Sequence, residues 1–145
     1  MERRLKLVRR LYRYRAALER QQRLSLWAAR HRLHGVQQEI GRTVQALTGA
    51  ADRWRADVDA TQTMALHAYM AALREQLDGL LATEARCREQ VARAAEVHAK
   101  WWRGARLAES LAQRLQRLVE AERARKEQNE LDDLVLQLRL RTDRF

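Results

Sequence analysis

The chain has no proline and only five glycines in 145 residues, so almost nothing in it forces a turn. Aromatics are 6% of the residues, and β-branched side chains are scarce, which argues against strands and against a thick core. The single cysteine, Cys87, has no partner for an internal disulfide, and a reducing compartment fits it. No stretch approaches the ~18 consecutive apolar residues needed to span a bilayer. The N-terminus lacks the apolar run of a secretory signal. It is Arg-rich and acid-poor like a mitochondrial presequence, but such presequences are usually rich in Ser as well, and here only Ser25 appears.

What is abundant is Ala, Leu, Arg, Glu and Gln, five residues that lose little rotamer freedom in a helix. Charged residues make up 33% of the chain and leave a net charge of +10. Up to His34 there are eleven Arg or Lys against two acids, Glu2 and Glu19, a local excess of nine. One end of the molecule is therefore expected to carry a strong positive potential, with the remainder near balance.

Apolar spacing sets the architecture. Leu11, Leu18, Leu26, Leu33, Ile40, Leu47 and Trp54 advance by seven with one step of eight, and Val36, Val44, Ala51 and Val58 form a companion row. The spacing predicts one amphipathic helix over about 5–58, roughly 80 Å long at 1.5 Å per residue. Tyr14 is assigned to the same seam. A second stripe, Leu66, Leu73, Leu80, Cys87, Ala94, Trp101, Ala108 and Leu115, keeps sevenfold spacing throughout. Met70, Leu77, Val91, His98 and Ala105 accompany it, Glu84 is the exception, and Leu111 and Leu118 continue it. Spacing held this long is a coiled-coil signature and predicts a helix over about 64–140.

Between the stripes lies Asp57-Val58-Asp59-Ala60-Thr61-Gln62-Thr63, the chain's cluster of good N-cap residues. A turn at about 59–63 is expected there, with Asp59, Thr61 or Thr63 capping the second helix. Thr48-Gly49 is a competing break, ranked lower because the first stripe runs past it. A short connection makes the helices antiparallel neighbours. The fold class expected is all-α, a single domain made of a long two-helix antiparallel coiled-coil hairpin with a C-terminal helical tail. The tail is almost wholly polar over 120–130 and resumes apolar spacing at Leu131, Leu134, Val135 and Leu138. It reads as a helix that frays alone and waits for a partner.

Motifs of catalysis are missing: no Gly-rich phosphate loop, no Gly-x-Ser-x-Gly, no paired cysteines, no His-Glu-x-x-His. His31 and His34 are three apart, but arginines flank both and no cysteine or acid lies beside them, so a solvated helix face is the plainer reading than a metal site. His98 and Cys87 fall in the seam register and read as packed residues. Asp132 and Asp133 are sequence neighbours on a helix and diverge, so they do not form an acid/base pair. A binding protein, not an enzyme, is expected, with no cofactor, no metal and no small-molecule substrate. The N-terminal arginines alone would give salt-sensitive attraction to nucleic acid or an anionic membrane, and no nucleic-acid motif accompanies them. A homodimeric structural coiled coil is a third reading.

Three local features carry a resemblance. The first is the opening Met1-Glu2-Arg3-Arg4-Leu5-Lys6-Leu7-Val8-Arg9-Arg10-Leu11, with basic residues around a Leu stripe. The second is Lys100-Trp101-Trp102-Arg103 in the second helix. The third is the charged run Glu122 to Asp133, which ends in Leu-Asp-Asp where the family has Leu-Asp-Glu. On these the chain resembles the stalk proteins of bacterial type III export, the flagellar FliJ family and its injectisome counterpart, the YscO/SctO family. The likeness spans nearly the whole chain. It implies a cytoplasmic shaft, peripheral at the membrane-embedded export apparatus, whose joined termini enter the pore of a hexameric export ATPase. The hairpin tip would face the export gate, and export chaperones would be further partners. The resemblance places the ATPase-facing end at Arg3, Arg4, Arg9, Arg10 and Arg13 with Leu131, Asp132, Asp133 and Arg139. It places the gate-facing tip at Leu47, Ala50, Trp54, Arg55, Tyr69, Leu73 and Gln76. Ala50 departs from an aromatic frequent in the family. Leu47, Trp54 and Leu73 lie in the expected seam, where packing is the simpler role, and Tyr69 lies off it.

Overall fold

The structure is a computed structural model, and it describes residues 1–56 and 59–143. Two α-helices, α1 (Glu2–Arg55) and α2 (Ala60–Asp143), pack against each other as an antiparallel hairpin. The described residues contain no strand, no cis peptide and no positive φ. No helix among them is long and apolar enough to cross a membrane.

The connection between the helices lies earlier than 59–63, after Arg55 and before Ala60. The Ala56 amide donates to the Arg53 carbonyl at 3.1 Å as α1 closes. Asp59 then caps α2, its Oδ1 accepting the Gln62 amide at 2.7 Å. The Asp59 carbonyl accepts both the Thr63 amide and the Thr63 hydroxyl, at 2.9 and 2.8 Å. Of the three candidate caps Asp59 takes the position, so α2 starts at Ala60 and not near 64: an Asp side chain satisfies an amide three residues on, and nothing after it needs a second cap. The expected stripe member Val58 lies outside the described residues. α1 passes through Thr48-Gly49 without a break, the Thr48 hydroxyl donating back to the Val44 carbonyl at 2.9 Å.

Both helices keep an unbroken heptad, written here with seam positions a and d. In α1 the a row is Leu5, Tyr12, Glu19, Leu26, Leu33, Ile40, Leu47 and Trp54; the d row is Val8, Arg15, Gln22, Ala29, Val36, Thr43 and Ala50. All but Trp54 are buried or half-buried. The expected step of eight at Leu18 to Leu26 does not exist. Leu11 and Tyr14 are exposed, Leu18 is half-buried beside the seam, and Tyr12 and Glu19 hold the places assigned to them. Val44 is likewise exposed, and Thr43 is buried, its hydroxyl donating to the Glu39 carbonyl at 2.9 Å. In α2 the d row is the expected one from Leu66 to Leu115. Its a row runs Thr63, Met70, Leu77, Glu84, Val91, His98, Ala105, Ala112 and Val119. Glu84 keeps its place and pairs with Arg88 at 3.3 Å. Leu111 and Leu118 are exposed, and the adjacent Ala112 and Val119 continue the seam. Residue polarity misleads at these positions because register, once set by the neighbours, decides which side chain is covered.

The chain divides into two compact units. One joins Met1–Glu19 with α2 from Lys100 onward; the other is Arg20–Ala99, which contains the turn. In the first unit α1 and α2 are linked by Glu2 to Arg123, Arg9 to Gln116 and Arg15 to the Gly104 carbonyl. In the second, Trp54 meets His67 across the two helices with ring centroids 5.8 Å apart.

Candidate partner-binding surfaces

The unit that holds both chain ends carries the basic cluster. Arg3, Arg4, Arg10 and Arg13 are exposed. Arg9 is also exposed and donates to the Gln116 side chain. Positions e and b of this unit form one side of the helix pair, where Arg9 and Arg13 of α1 line a groove with Glu109, Gln113, Gln116 and Arg117 of α2. Glu2 lies on the same side, accepting from Arg123 Nε at 3.1 Å and Nη2 at 2.5 Å. That hydrogen bond, and after it the guanidinium charge, holds the Glu2 carboxyl below the ordinary glutamate value of 4.5. The Arg123 guanidinium is correspondingly pushed above its ordinary value by the same bond and then by the Glu2 charge.

Beyond Arg123, α2 continues to Asp143 with every side chain exposed. The tail is helical throughout this span. Its stripe Leu131, Leu134, Val135 and Leu138 falls on positions f, b and c, the face opposite the seam register. Asp132, Asp133 and Arg139 are exposed around it, Asp132 accepting from the Gln128 side chain at 3.1 Å.

At the turn, the residues named for the tip separate into two sets. Ala50 and Leu73 are buried and Leu47 is half-buried, so all three pack the seam. Trp54, Arg55, Tyr69 and Gln76 are exposed. Trp54 and Arg55 line a groove with His67, Met70 and Arg74. Tyr69 lines another with Arg53, Gln62 and Leu66. The exposed members could meet a partner without unpacking the hairpin; the buried three could not.

Sequence reasoning missed two aromatic sites. Trp27 stacks on His31 with centroids 5.4 Å apart and planes 9° from parallel, which gives His31 a ring partner on an exposed face. Arg106 lies over Trp102 at 5.2 Å. The spacing of four in each pair was the available signal. Comparison with family models, curated proteins and solved structures finds no match to this chain.

Proposed function

We propose that the chain is a central-stalk component of a bacterial type III secretion system, of the injectisome or the flagellar export apparatus. In this reading the basic end, Arg3 to Arg13 with the tail from Leu131 to Arg139, enters the ring of the export ATPase. The exposed tip residues Trp54, Arg55, Tyr69 and Gln76 face the cytoplasmic domain of the export gate, and export chaperones dock on the same protein. The location is the bacterial cytoplasm, at the membrane-embedded apparatus.

One observation carries the proposal: a full-length helical hairpin whose two chain ends lie in one unit with an array of exposed arginines. Long-range attraction between such an end and an acidic pore speeds docking and is weakened by salt. The test is a pull-down and ATPase assay with the export ATPase of the same secretion system. Binding at low salt that weakens as salt rises, and that drops at least about tenfold in the Arg3→Glu/Arg4→Glu/Arg10→Glu variant, is expected. No binding and no effect on ATPase oligomerisation at low salt ends the proposal, and tight binding to duplex DNA or anionic liposomes at physiological salt replaces it.

A further inference from the structure

The two sides of the helix pair in the terminal unit differ in chemistry. Each side is defined by the positions that flank the seam. Glu2, Arg9, Gln116 and Arg123 are all e residues, and the bonds Glu2–Arg123 and Arg9–Gln116 join e to e. The g residues of both helices therefore share the other side. On the e side stand the polar groups already described. On the g side and its adjoining c positions stand Leu7, Leu11 and Tyr14 of α1, with Leu107, Leu111 and Leu118 of α2. All six are exposed, Tyr14 at 63% and Leu107 at 60%. On α1 they fall four and three residues apart, at Leu7, Leu11 and Tyr14; on α2 they are Leu107, Leu111 and Leu118, with the exposed Arg114 at the stripe position between the last two. That is the spacing of a helix-packing stripe and not of scattered surface apolar residues. A hairpin with one further stripe on each helix, both facing the same side, offers a groove into which a third helix fits.

The rim of this groove settles its occupant. At positions c, f and g within 1–19 and 100–122 there is no Asp or Glu. The charged residues there include Arg3, Arg4, Arg10, Lys100, Arg103 and Arg114, all exposed. A second copy docking through the same face would bring the same cations against them, and like charges brought together across an interface oppose association. An amphipathic helix with acidic flanks would meet apolar surface with its apolar face and cations with its carboxylates. We propose that the g side of the terminal unit is a docking groove for an acidic amphipathic helix of a partner protein, packed as a third helix beside α1 and α2. The apolar lining of the groove owes nothing to the stalk reading, but Arg3, Arg4 and Arg10 on its rim also belong to the proposed ATPase-facing end, so the Leu→Ser variants are the ones that separate the two.

The experiment uses the full chain and three labelled synthetic peptides of three heptads. One has Leu at its seam positions and Glu at its flanks; one has the same Leu with Lys flanks; one is the acidic composition in scrambled order. Fluorescence anisotropy is expected to show micromolar binding of the acidic peptide, weakened by salt, with the other two at least about tenfold weaker. The Leu11→Ser/Leu111→Ser variant should lose about tenfold, and Leu107→Ser/Leu118→Ser should behave alike, while Gln113→Ser on the opposite side leaves binding unchanged. Circular dichroism confirms that the variants stay helical, as expected for exposed positions. No binding of the acidic peptide overturns the proposal, as does binding by both Leu→Ser variants as tight as that of the unsubstituted chain. So does a dimer in sedimentation that these substitutions dissolve, or adsorption to phosphatidylserine vesicles that they abolish.

Discussion

Leu24 and Leu26 are two residues apart on α1 and live in different solvents. Leu26 is 6% exposed at a seam position, and Leu24 is 68% exposed on the outer face. Burial of apolar area is the driving term, so Leu26→Ala should destabilise the hairpin by about 2 kcal/mol or more, whereas Leu24→Ala should stay within about 0.5 kcal/mol. Urea unfolding followed by circular dichroism reads both. The Glu2–Arg123 pair makes a second residue-scale prediction. Because the folded carboxyl titrates below 4.5, its contribution is complete above the unfolded value and is lost as pH falls through the lowered folded one. The protection factor of the Leu5 amide, with intrinsic exchange divided out, should fall over that acid window, and Glu2→Gln should remove the dependence. At this scale the sequence misleads most. Glu19 is 7% exposed and Thr43 is buried, while Leu11 and Val44 beside them are not. Hydrophobicity ranks side chains one at a time, but a helix presents every seventh residue to its partner whether or not that residue is apolar.

Each element was more legible than its members. The d row of α2 was readable from Leu66 to Leu115 because its sevenfold spacing never falters, even where it passes through Cys87 and Trp101. The α1 register was readable from Leu26 to Leu47 and lost before it, where Leu11 and Leu18 form a genuine second stripe that outcompetes Tyr12 and Glu19. Asp59 was among three possible caps, and propensity does not choose between Asp and Thr so closely placed. The glycines were read as costly but tolerable. A Cβ at Gly35, Gly41, Gly49 or Gly79 would meet no atom within 4 Å, and all four have ordinary helical backbone. Gly35→Ala should therefore stabilise α1 by about 0.5–1 kcal/mol, measured as a rise in the thermal midpoint. At Gly104 the new methyl would touch Arg15 Nη1 at 3.6 Å, ordinary contact, so the gain there is similar only if the Arg15 bond to the Gly104 carbonyl survives.

For the whole molecule, the hairpin itself was legible because two amphipathic stripes joined by a short capped turn have one economical solution. The candidate surfaces were legible only in part. The arginines near the N-terminus are exposed as charge requires, but Ala50 and Leu73 at the turn are covered by packing that a residue list does not reveal. The extent of the seam predicts how stability is distributed. α2 has no α1 residue opposite it once Arg123 has met Glu2, and a helix without a packed face is marginal. Hydrogen exchange should find amides of 127–143 opening at a free energy near zero, while those around Leu73 and Val119 approach the global value. Protection of the distal segment equal to that of the seam would contradict this.

The unbroken register has a consequence for how such a chain can change length. Each residue turns a helix by about 100°, so losing a single residue from α1 would swing every following side chain off its row. Seven residues lost or gained bring the rows back to within about 20°. A hairpin built this way can be lengthened or shortened by equal whole heptads in both arms, and lineages of it should differ in steps of seven, with odd remainders confined to the connection between the helices.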